Sequence, residues 1–274
     1  MRSSKVWTGE RLETDVFTET SIEHLHRYAI TMELAAGKKV LDIACGEGYG
    51  SALLAKNALQ VTGVDIEAGI ISMAKDKYPQ ENLQFLTGSV ENIPSADQQF
   101  EVVVSFETLE HIGDHEKMIS EIKRVLLPGG LLVISTPDKK NYTDTQILKN
   151  PFHVKELYAE EFGALLQKYF KNVELLNQQI AFSSVITSEK AEGQDIYAGD
   201  YREIKKDPGG NRLYCIALAS DEILPPVKNS LFNGQSIFAE AVAAKEKLVI
   251  NTITYQTGKA ILFPFKLLRK LFKK

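Results

Sequence analysis

Residues 40–50 read Val-Leu-Asp-Ile-Ala-Cys-Gly-Glu-Gly-Tyr-Gly, an apolar run that passes directly into a glycine-rich turn. The apolar half predicts a buried strand, and the turn predicts the start of a helix. Such a turn brings backbone N–H groups and a helix N-terminus close to a ligand. A second apolar run ends in Asp65, 19 positions after Gly46, where a carboxylate can bind a ribose diol. The two runs together predict a site for a nucleoside cofactor.

The glycine spacing and the charge of this turn distinguish between cofactors. A dinucleotide site places its glycines as G-x-G-x-x-G around a pyrophosphate. Here they are Gly46, Gly48 and Gly50, and Ser51 holds the third position of that pattern. Asp42 ends the strand, and its carboxylate would repel a pyrophosphate but suits a cofactor with cationic ammonium and sulfonium groups. An NAD-dependent dehydrogenase is therefore the least favoured interpretation.

The composition of the 274 residues sets further limits. Hydrophobic residues make up 44% of the chain, enough to bury a full core in one domain of ordinary size, or in one domain with an appendage. The net charge of −4 gives no global basic field, so we expect no nucleic-acid partner. Cys45 and Cys215 lie far apart in the sequence, which predicts reduced thiols and no metal site. Residues 1–13 lack an apolar signal segment, and no apolar run reaches the roughly 20 residues that span a bilayer. We expect a cytoplasmic protein, attached at most to a membrane surface.

Apolar strands alternate with amphipathic helical patterns along most of the chain, which is typical of an α/β fold with a mainly parallel, doubly wound sheet. A helix is predicted over residues 21–36, and another begins after Pro151. Seven strands are predicted, over residues 39–43, 60–64, 83–87, 100–105, 131–135, 173–176 and 213–219. This pattern divides the chain into an N-terminal cap and helix (1–36), a main domain (37–222) and a helical C-terminal tail (223–274).

Four motifs in this order resemble those of class I S-adenosylmethionine-dependent methyltransferases. They are the acidic residue with alternating glycines at 42–50, residues 85–94 and 103–111, and the helix stop with the following strand at 126–135. Ala44 stands where the first glycine of the family is usual. The resemblance implies a seven-stranded sheet with an antiparallel last hairpin and S-adenosyl-L-methionine as cofactor. It also implies a set of cofactor-binding residues: Asp42, Gly46, Gly48, Asp65, Ile66, Ser89, Val90, Ser105 and Glu107.

Three further segments resemble methyltransferases that accompany the glycosyltransferases of bacterial surface polysaccharides, of O-antigen type. They are residues 8–12, 22–28 and 152–157. This resemblance implies methyl transfer to a hydroxyl of a sugar or glycan. Two alternatives fit the same cofactor motifs, namely a lipid-like or other small-molecule acceptor and an inactive cofactor-binding partner subunit.

Transfer to a hydroxyl needs a base, and histidine can accept the proton near neutral pH. His111 and His153 lie just beyond the predicted fourth and fifth strands, where open parallel sheets bind ligands. We therefore predict these two as catalytic residues. The alternatives are a turn residue bonded to the backbone for His153 and a helix-end or cofactor-contact residue for His111.

Four other side chains are weaker candidates. Arg27, on the polar side of the first helix, can pair with the cofactor carboxylate through its bidentate fork, and Arg11 can do the same. Exposed, solvated arginines are the alternative for both. Tyr197 and Tyr201 lie in the long insertion between the last two strands, where they can stack on a sugar or be ordinary loop residues.

The C-terminal tail combines a helical pattern at 236–256 with a basic, apolar segment at 259–274. This segment has six basic residues and no acidic one, interleaved with bulky apolar residues. The pattern predicts an interfacial helix on an anionic membrane. Alternatives are packing on the domain, on a second subunit or on a glycosyltransferase partner. Because of Pro264, we expect that the tail is not one continuous helix.

Overall fold

The fold is given by a computed structural model, which describes residues 18–145, 150–181, 183–186, 195–207 and 212–271. Side chains are described within these ranges, except for Glu19 and residues 264–271. The segment 8–12, with Arg11, and the last three lysine-rich positions therefore lie outside the described residues.

Helices and strands alternate along the main domain. In chain order the elements are α1 (Glu19–Leu34), β1 (Lys39–Ile43), α2 (Tyr49–Leu54), β2 (Gln60–Asp65), α3 (Ala68–Lys77), β3 (Leu83–Thr87), β4 (Phe100–Phe106), a 3₁₀ turn (Leu109–His111), α4 (His115–Val125), β5 (Leu126–Pro137), α5 (Lys139–Tyr142), α6 (Ala159–Gln167), β6 (Asn172–Gln178), β7 (Tyr197–Gly199), β8 (Ile204–Lys206), β9 (Tyr214–Ser220), α7 (Gln235–Ile250) and α8 (Ile253–Leu271).

The main sheet has seven strands in the order β3-β2-β1-β4-β5-β9-β6. The pairs along β3, β2, β1, β4 and β5 are parallel, and β9 runs antiparallel to both β5 and β6. The strand order reverses between β1 and β4, and ligands of open α/β sheets bind at such a reversal. The predicted fold class, a doubly wound and mainly parallel sheet with a helical tail, is confirmed.

Helices cover both faces of the sheet, so successive residues of a central strand enter different cores. In β1, Val40 packs with Tyr28 of α1 and Leu54 of α2, whereas Leu41 and Ile43 lie in the core that also contains α4 and α6. Because side chains alternate along a strand, Asp42 points to the same face as Val40, towards α1 and α2. This alternation decides where its carboxylate lies.

The predicted bounds of β5 and α6 were partly wrong. β5 begins at Leu126 and continues through residues 128–130, where the pairing with β4 shifts register between Phe100 and Val102. Proline, which has no N–H to donate, is tolerated at such an irregularity. α6 begins only after Tyr158, and the short hairpin of β7 and β8 in the insertion was not predicted.

The tail forms two helices and is therefore not one continuous helix, as predicted, but the interruption does not lie at Pro264. The helices are interrupted at Asn251 and Thr252, whereas α8 continues through the proline. A proline inside a helix removes one backbone hydrogen bond. Almost all described side chains of α8 are exposed, so water can satisfy the released carbonyl group. Across the described residues, no helix combines the length and apolar composition that crossing a bilayer requires.

Candidate functional site

A cavity of about 460 Å³ opens at the carboxyl ends of the central strands, beside the reversal of strand order. Its volume is in the usual range for small-molecule sites. Eight of the predicted site residues line it: Gly46, Asp65, Ile66, Ser89, Val90, Glu107, His111 and His153. The fold therefore brings together residues from the turns after β1, β2, β3 and β4 and from the segment before α6.

Three glycines of the turn after β1 have different roles. Gly46 has a φ of +54° and lines the cavity, and a Cβ added there would meet no atom within 4 Å. A Cβ on Gly48 would lie 2.6 Å from the ring of Phe85, and one on Gly50 would lie 1.9 Å from Tyr28. Gly46 thus presents bare backbone to a ligand, while Gly48 and Gly50 allow close packing behind it. Gly48 does not line the cavity.

Asp65 joins this turn to β2. Its Oδ2 accepts a hydrogen bond from the N–H of Gly46 at 3.0 Å, and its Oδ1 accepts one from the N–H of Glu67 at 3.0 Å. The side chain is buried and lies in the cavity wall. Asp65 therefore holds the glycine turn in place, in addition to its predicted contact with a ribose diol.

Asp42 does not line the cavity, in contrast to its predicted role. Its carboxylate accepts hydrogen bonds from Ser51 Oγ at 2.6 Å and from Tyr28 Oη at 3.3 Å, on the face covered by α1 and α2. The side chain is buried, and burial raises its pKa to about 7. Asp42 braces the glycine turn from behind and does not supply the charge that would face a cofactor.

The raised pKa of Asp42 predicts a pH dependence of stability. The folded chain keeps this proton up to about pH 7, whereas the unfolded chain releases it near the ordinary value of 3.8. The free energy of unfolding therefore falls as the pH rises from about 4 to 7, and the Asp42 contribution is level above that. In an Asp42→Asn variant this part of the slope is expected to disappear. Between pH 5 and pH 8 the wild type should lose about 3 kcal/mol of its free energy of unfolding that the variant keeps.

Thermal unfolding of both proteins across this pH range checks the prediction. The exposed Asp76→Asn is the matched control and should follow the wild type. Parallel curves for wild type and Asp42→Asn would show that Asp42 is ionised in the folded chain at all these pH values.

The cavity is nevertheless strongly acidic. Five carboxylates line it, and no described lining residue is a lysine or arginine. The five are Glu47, Asp65, Glu91, Glu107 and Glu110. This lining favours a cationic ligand and disfavours a pyrophosphate. The sequence analysis also favoured a cationic ligand, but it assigned the favourable charge to Asp42, which does not line the cavity.

Arg27 and Ser105 are also buried away from the cavity. Nε of Arg27 donates to Oε1 of Gln178 at 2.7 Å, and its Nη1 lies 3.1 Å from Oε1 of Glu107. The exposed alternative for Arg27 is therefore wrong, and its guanidinium contacts the cavity-lining residues Glu107 and Tyr214 from behind. Ser105 Oγ is buried without a hydrogen-bond partner among the described residues.

His111 and His153 face each other in the cavity wall, with ring centroids 5.1 Å apart. Nδ1 of His111 donates to the carbonyl of Phe152 at 3.0 Å. Nδ1 of His153 donates to the carboxylate of Glu156, and its Nε2 accepts from the amide of Asn150 at 2.9 Å. These bonds place the hydrogen of each neutral ring on Nδ1 and the lone pair on Nε2.

Glu110 connects the two histidine segments. Its backbone carbonyl accepts the N–H groups of Val154 at 2.8 Å and Lys155 at 3.1 Å, which fixes the segment of His153 against the 3₁₀ turn. Its buried carboxylate accepts from Thr136 Oγ1 at 3.1 Å. Burial, with the nearby carboxylate of Glu107, raises the pKa of Glu110 well above its usual range.

Several lining residues were missed or misplaced by the sequence analysis. His24 lines the cavity and is hydrogen-bonded to Tyr49 at 3.0 Å, and burial together with Arg27 lowers its pKa. Tyr197 and Tyr201 are exposed on or beside the β7–β8 hairpin and do not line the cavity. The missed lining residues also include Glu47, Glu91, Glu110, Tyr142, Asn150 and Tyr214. Of these, Glu47, Glu91 and Glu110 lie inside the motifs at 42–50, 85–94 and 103–111, whereas Tyr142, Asn150 and Tyr214 lie outside every motif.

Comparison with known families and proteins shows what this domain is similar to. Residues 41–134 match the family described as "Methyltransferase domain". Two relatives, from Mycolicibacterium smegmatis and Mycobacterium tuberculosis H37Rv, are named as probable S-adenosylmethionine-dependent methyltransferases. Both are 35% identical over 58% of this chain, and the matches cover 63% and 58% of their lengths. A ubiquinone biosynthesis O-methyltransferase of Coxiella burnetii is 37% identical over 36% of this chain and 44% of its own length.

The chain thus spans about three fifths of the length of the mycobacterial relatives it matches. A Haloferax volcanii methyltransferase, solved with its activator Trm112, matches with a TM-score of 0.54 at 16% identity, over 75% of this chain and 91% of its own. An S-adenosylmethionine-dependent methyltransferase from Thermotoga maritima has a TM-score of 0.51 at 18% identity, over 73% and 89%. At these identities the structures support the fold alone.

The names of the mycobacterial relatives give S-adenosyl-L-methionine as the cofactor of those proteins. The residues in the cavity fit it. Open space at Gly46 accepts a ligand beside the backbone, and the carboxylate of Asp65 faces the same cavity. The acidic lining matches a cofactor that carries ammonium and sulfonium groups.

Proposed function

We propose that this chain transfers a methyl group from S-adenosylmethionine to a hydroxyl of a neutral sugar or glycan. The observation that carries the proposal is the arrangement at His153. Its imidazole lies in the cavity wall, is oriented by the carboxylate of Glu156 and has its lone pair on Nε2. An imidazole oriented in this way by a carboxylate is a typical means of activating a hydroxyl.

The reaction requires that the acceptor hydroxyl be positioned and that it lose one proton. The cofactor supplies an activated methyl group, so that an S–C bond breaks as the O–C bond forms and the sulfonium becomes a neutral thioether. The chain has to hold the hydroxyl in line, exclude competing water and receive the hydroxyl proton. If His153 has its predicted catalytic role, its Nε2 atom receives the hydroxyl proton. The amide of Asn150, which is bonded to that atom, would then turn away from it.

The acidic cavity supports a neutral acceptor. The lining carboxylates, with no lysine or arginine beside them among the described residues, would repel the phosphates of a sugar nucleotide. Tyr142 stacks on His153 with ring centroids 5.4 Å apart, and Tyr214 lies beside Tyr142. Such aromatic faces offer apolar contact to the C–H face of a sugar ring, with polar groups at their edge. The resemblance of residues 22–28 and 152–157 to methyltransferases of surface-polysaccharide synthesis supports the same class.

Incubation with isotopically labelled S-adenosylmethionine tests this proposal. Neutral glycans, sugar nucleotides and quinol-type phenols would be offered side by side, and methylated products identified by mass spectrometry. Label in a neutral glycan hydroxyl is the expected result. If label were found only in a phenol, the acceptor would instead be of the kind that the name of the Coxiella relative, a ubiquinone biosynthesis O-methyltransferase, suggests. Cofactor binding without turnover on any class would support the inactive partner subunit.

We also propose that α8 attaches the protein to an anionic membrane surface, at the inner face of a cytoplasmic membrane. Ile253, Ile261, Leu262 and Phe263 are each more than half exposed on this helix. Residues 259–274 contain basic residues and no acidic ones. Apolar groups that enter a headgroup region, together with long basic stems that reach its phosphates, are typical of interfacial helices.

Deletion of residues 259–274 is expected to abolish sedimentation with anionic phospholipid vesicles, because each lost cation contributes about 1 kcal/mol near such a surface. The melting temperature should stay within about 2 °C, because α8 has no described buried side chain. Rising salt should weaken vesicle binding by the full chain. Replacement of the exposed Lys245 and Lys247 of α7 by alanine is the control and should retain binding. A sharp fall in melting temperature would instead identify a packing element.

A further inference from the structure

Glu110, His111 and His153 bring two imidazoles and a carboxylate to one point of the cavity wall. One ligand atom from each residue lies within 4.8 Å of the other two. Oε1 of Glu110 is 3.9 Å from Nε2 of His111. Metal–ligand bonds of about 2.0–2.2 Å place ligand atoms about 3 to 4 Å apart across an ion. The largest separation in the cluster therefore needs to shorten by at most about 1 to 2 Å to coordinate an ion.

Hydrogen bonds behind the two histidines orient them as metal ligands. Nδ1 of His111 donates to the carbonyl of Phe152, and Nδ1 of His153 donates to the carboxylate of Glu156. Metal-binding histidines usually donate their second N–H to a carbonyl or a carboxylate in this way, which fixes the tautomer. Both Nε2 atoms then carry the lone pair. At His153 the amide of Asn150 holds that position, so an ion would replace this hydrogen bond.

The burial of Glu110 is the second observation. Its side chain is 1% exposed, and among the described residues no lysine or arginine nitrogen lies within 4 Å of its carboxylate. Its hydrogen bond from Thr136 is uncharged. A carboxylate that is taken out of water either holds a proton or is paired with a positive charge or a metal ion, because its hydration is lost. Glu110 faces the histidines in the position where a cation would supply that charge.

We propose that Glu110, His111 and His153 bind a divalent transition-metal ion at the acceptor side of the cavity. Two nitrogens and one oxygen suit ions such as Zn²⁺, Mn²⁺ or Co²⁺, and three protein ligands leave further coordination positions open to the cavity. The role of the ion rests on the proposed function. It would favour the ionised form of the acceptor hydroxyl, whose proton leaves to bulk water. His153 would then act as a ligand in place of its predicted role as a base.

Titration of the metal-free, full-length protein with Co²⁺ tests the site directly, by calorimetry and by visible absorption. One ion per chain is expected to bind the wild type. His111→Ala and His153→Ala should each weaken binding at least about 100-fold, and Glu156→Gln by about 10- to 100-fold through loss of orientation. Asn150→Ala should bind equally well or more tightly, because it removes the competing amide. His26→Ala, a histidine outside the cavity bonded to Ser230, is the control.

Three results would overturn the site: no Co²⁺ bound by the wild type, wild-type affinity in both His111→Ala and His153→Ala, or weaker binding in Asn150→Ala than in the wild type. These readouts do not depend on turnover. If Co²⁺ binds as expected and no acceptor is methylated, the proposed function fails and the site stands. If chelated, metal-free protein still methylates a glycan at the full rate, the proposed function stands and the catalytic role of the ion fails.

Discussion

A His153→Ala variant is expected to transfer methyl groups at least about 10²-fold more slowly than the wild type, with its affinity for S-adenosylmethionine within about twofold. The imidazole is bonded to Glu156 and Asn150 and stacked on Tyr142, in the segment before α6, whereas the nucleoside is predicted to bind at the turns after β1 and β2. It can therefore act on an acceptor without touching the nucleoside. Single-turnover rates with the acceptor identified by labelling, and calorimetry for the cofactor, measure the two quantities separately.

The same experiment distinguishes a base from a metal ligand. If the imidazole takes the proton itself, added metal ion cannot restore the rate of His153→Ala. If it is one of three ligands, raised Co²⁺ should recover part of the rate, because Glu110 and His111 remain. His26→Ala is the control, because it removes an imidazole that lies on α1 and does not line the cavity. Wild-type rates in both His153→Ala and His111→Ala would leave positioning alone as the source of catalysis.

The sheet could be predicted from sequence because its strands are short apolar runs between strong turn signals. β1 and β3 have the predicted bounds, and the other main-sheet strands are displaced mainly at their ends. Errors arose where tertiary contacts override local preference. The sequence of residues 128–130 predicts an interruption, yet pairing with β4 on both sides carries β5 across it. In α8, the rest of the helix compensates for the hydrogen bond lost at Pro264.

The site was harder to predict, because position along a strand does not give the direction of a side chain. Asp42 and Asp65 are both acidic residues at strand ends. Asp42 is inside β1 and points towards α1, whereas Asp65 is the last residue of β2 and faces the cavity. Arg27 is polar in a helical pattern, but Gln178 and Glu107, distant in sequence, accept it in the interior. Such long-range pairing leaves no signal in the sequence around residue 27.

An Asp65→Ala variant is expected to bind S-adenosylmethionine and its demethylated product at least tenfold more weakly. Two effects add in the same direction. The predicted hydrogen bonds to the ribose are lost, and hydrogen bonds to charged groups contribute about 1.5 to 3 kcal/mol each. The bond to the N–H of Gly46 is lost as well, which releases the turn that lines the cavity. Calorimetry with both ligands measures the change.

Comparison with Asp65→Asn separates the two effects. Asparagine keeps one oxygen that can accept from Gly46, so the turn is largely retained, whereas the charge that binds the ribose diol is gone. If ribose binding dominates, both variants should lose affinity similarly for S-adenosylmethionine. If bracing of the turn dominates, asparagine should retain most of the affinity. The exposed Asp76→Ala is the matched control and should bind like the wild type. Unchanged affinity in a folded Asp65→Ala would remove Asp65 from the cofactor site, and with it the inference that began from the 19-residue spacing after Gly46.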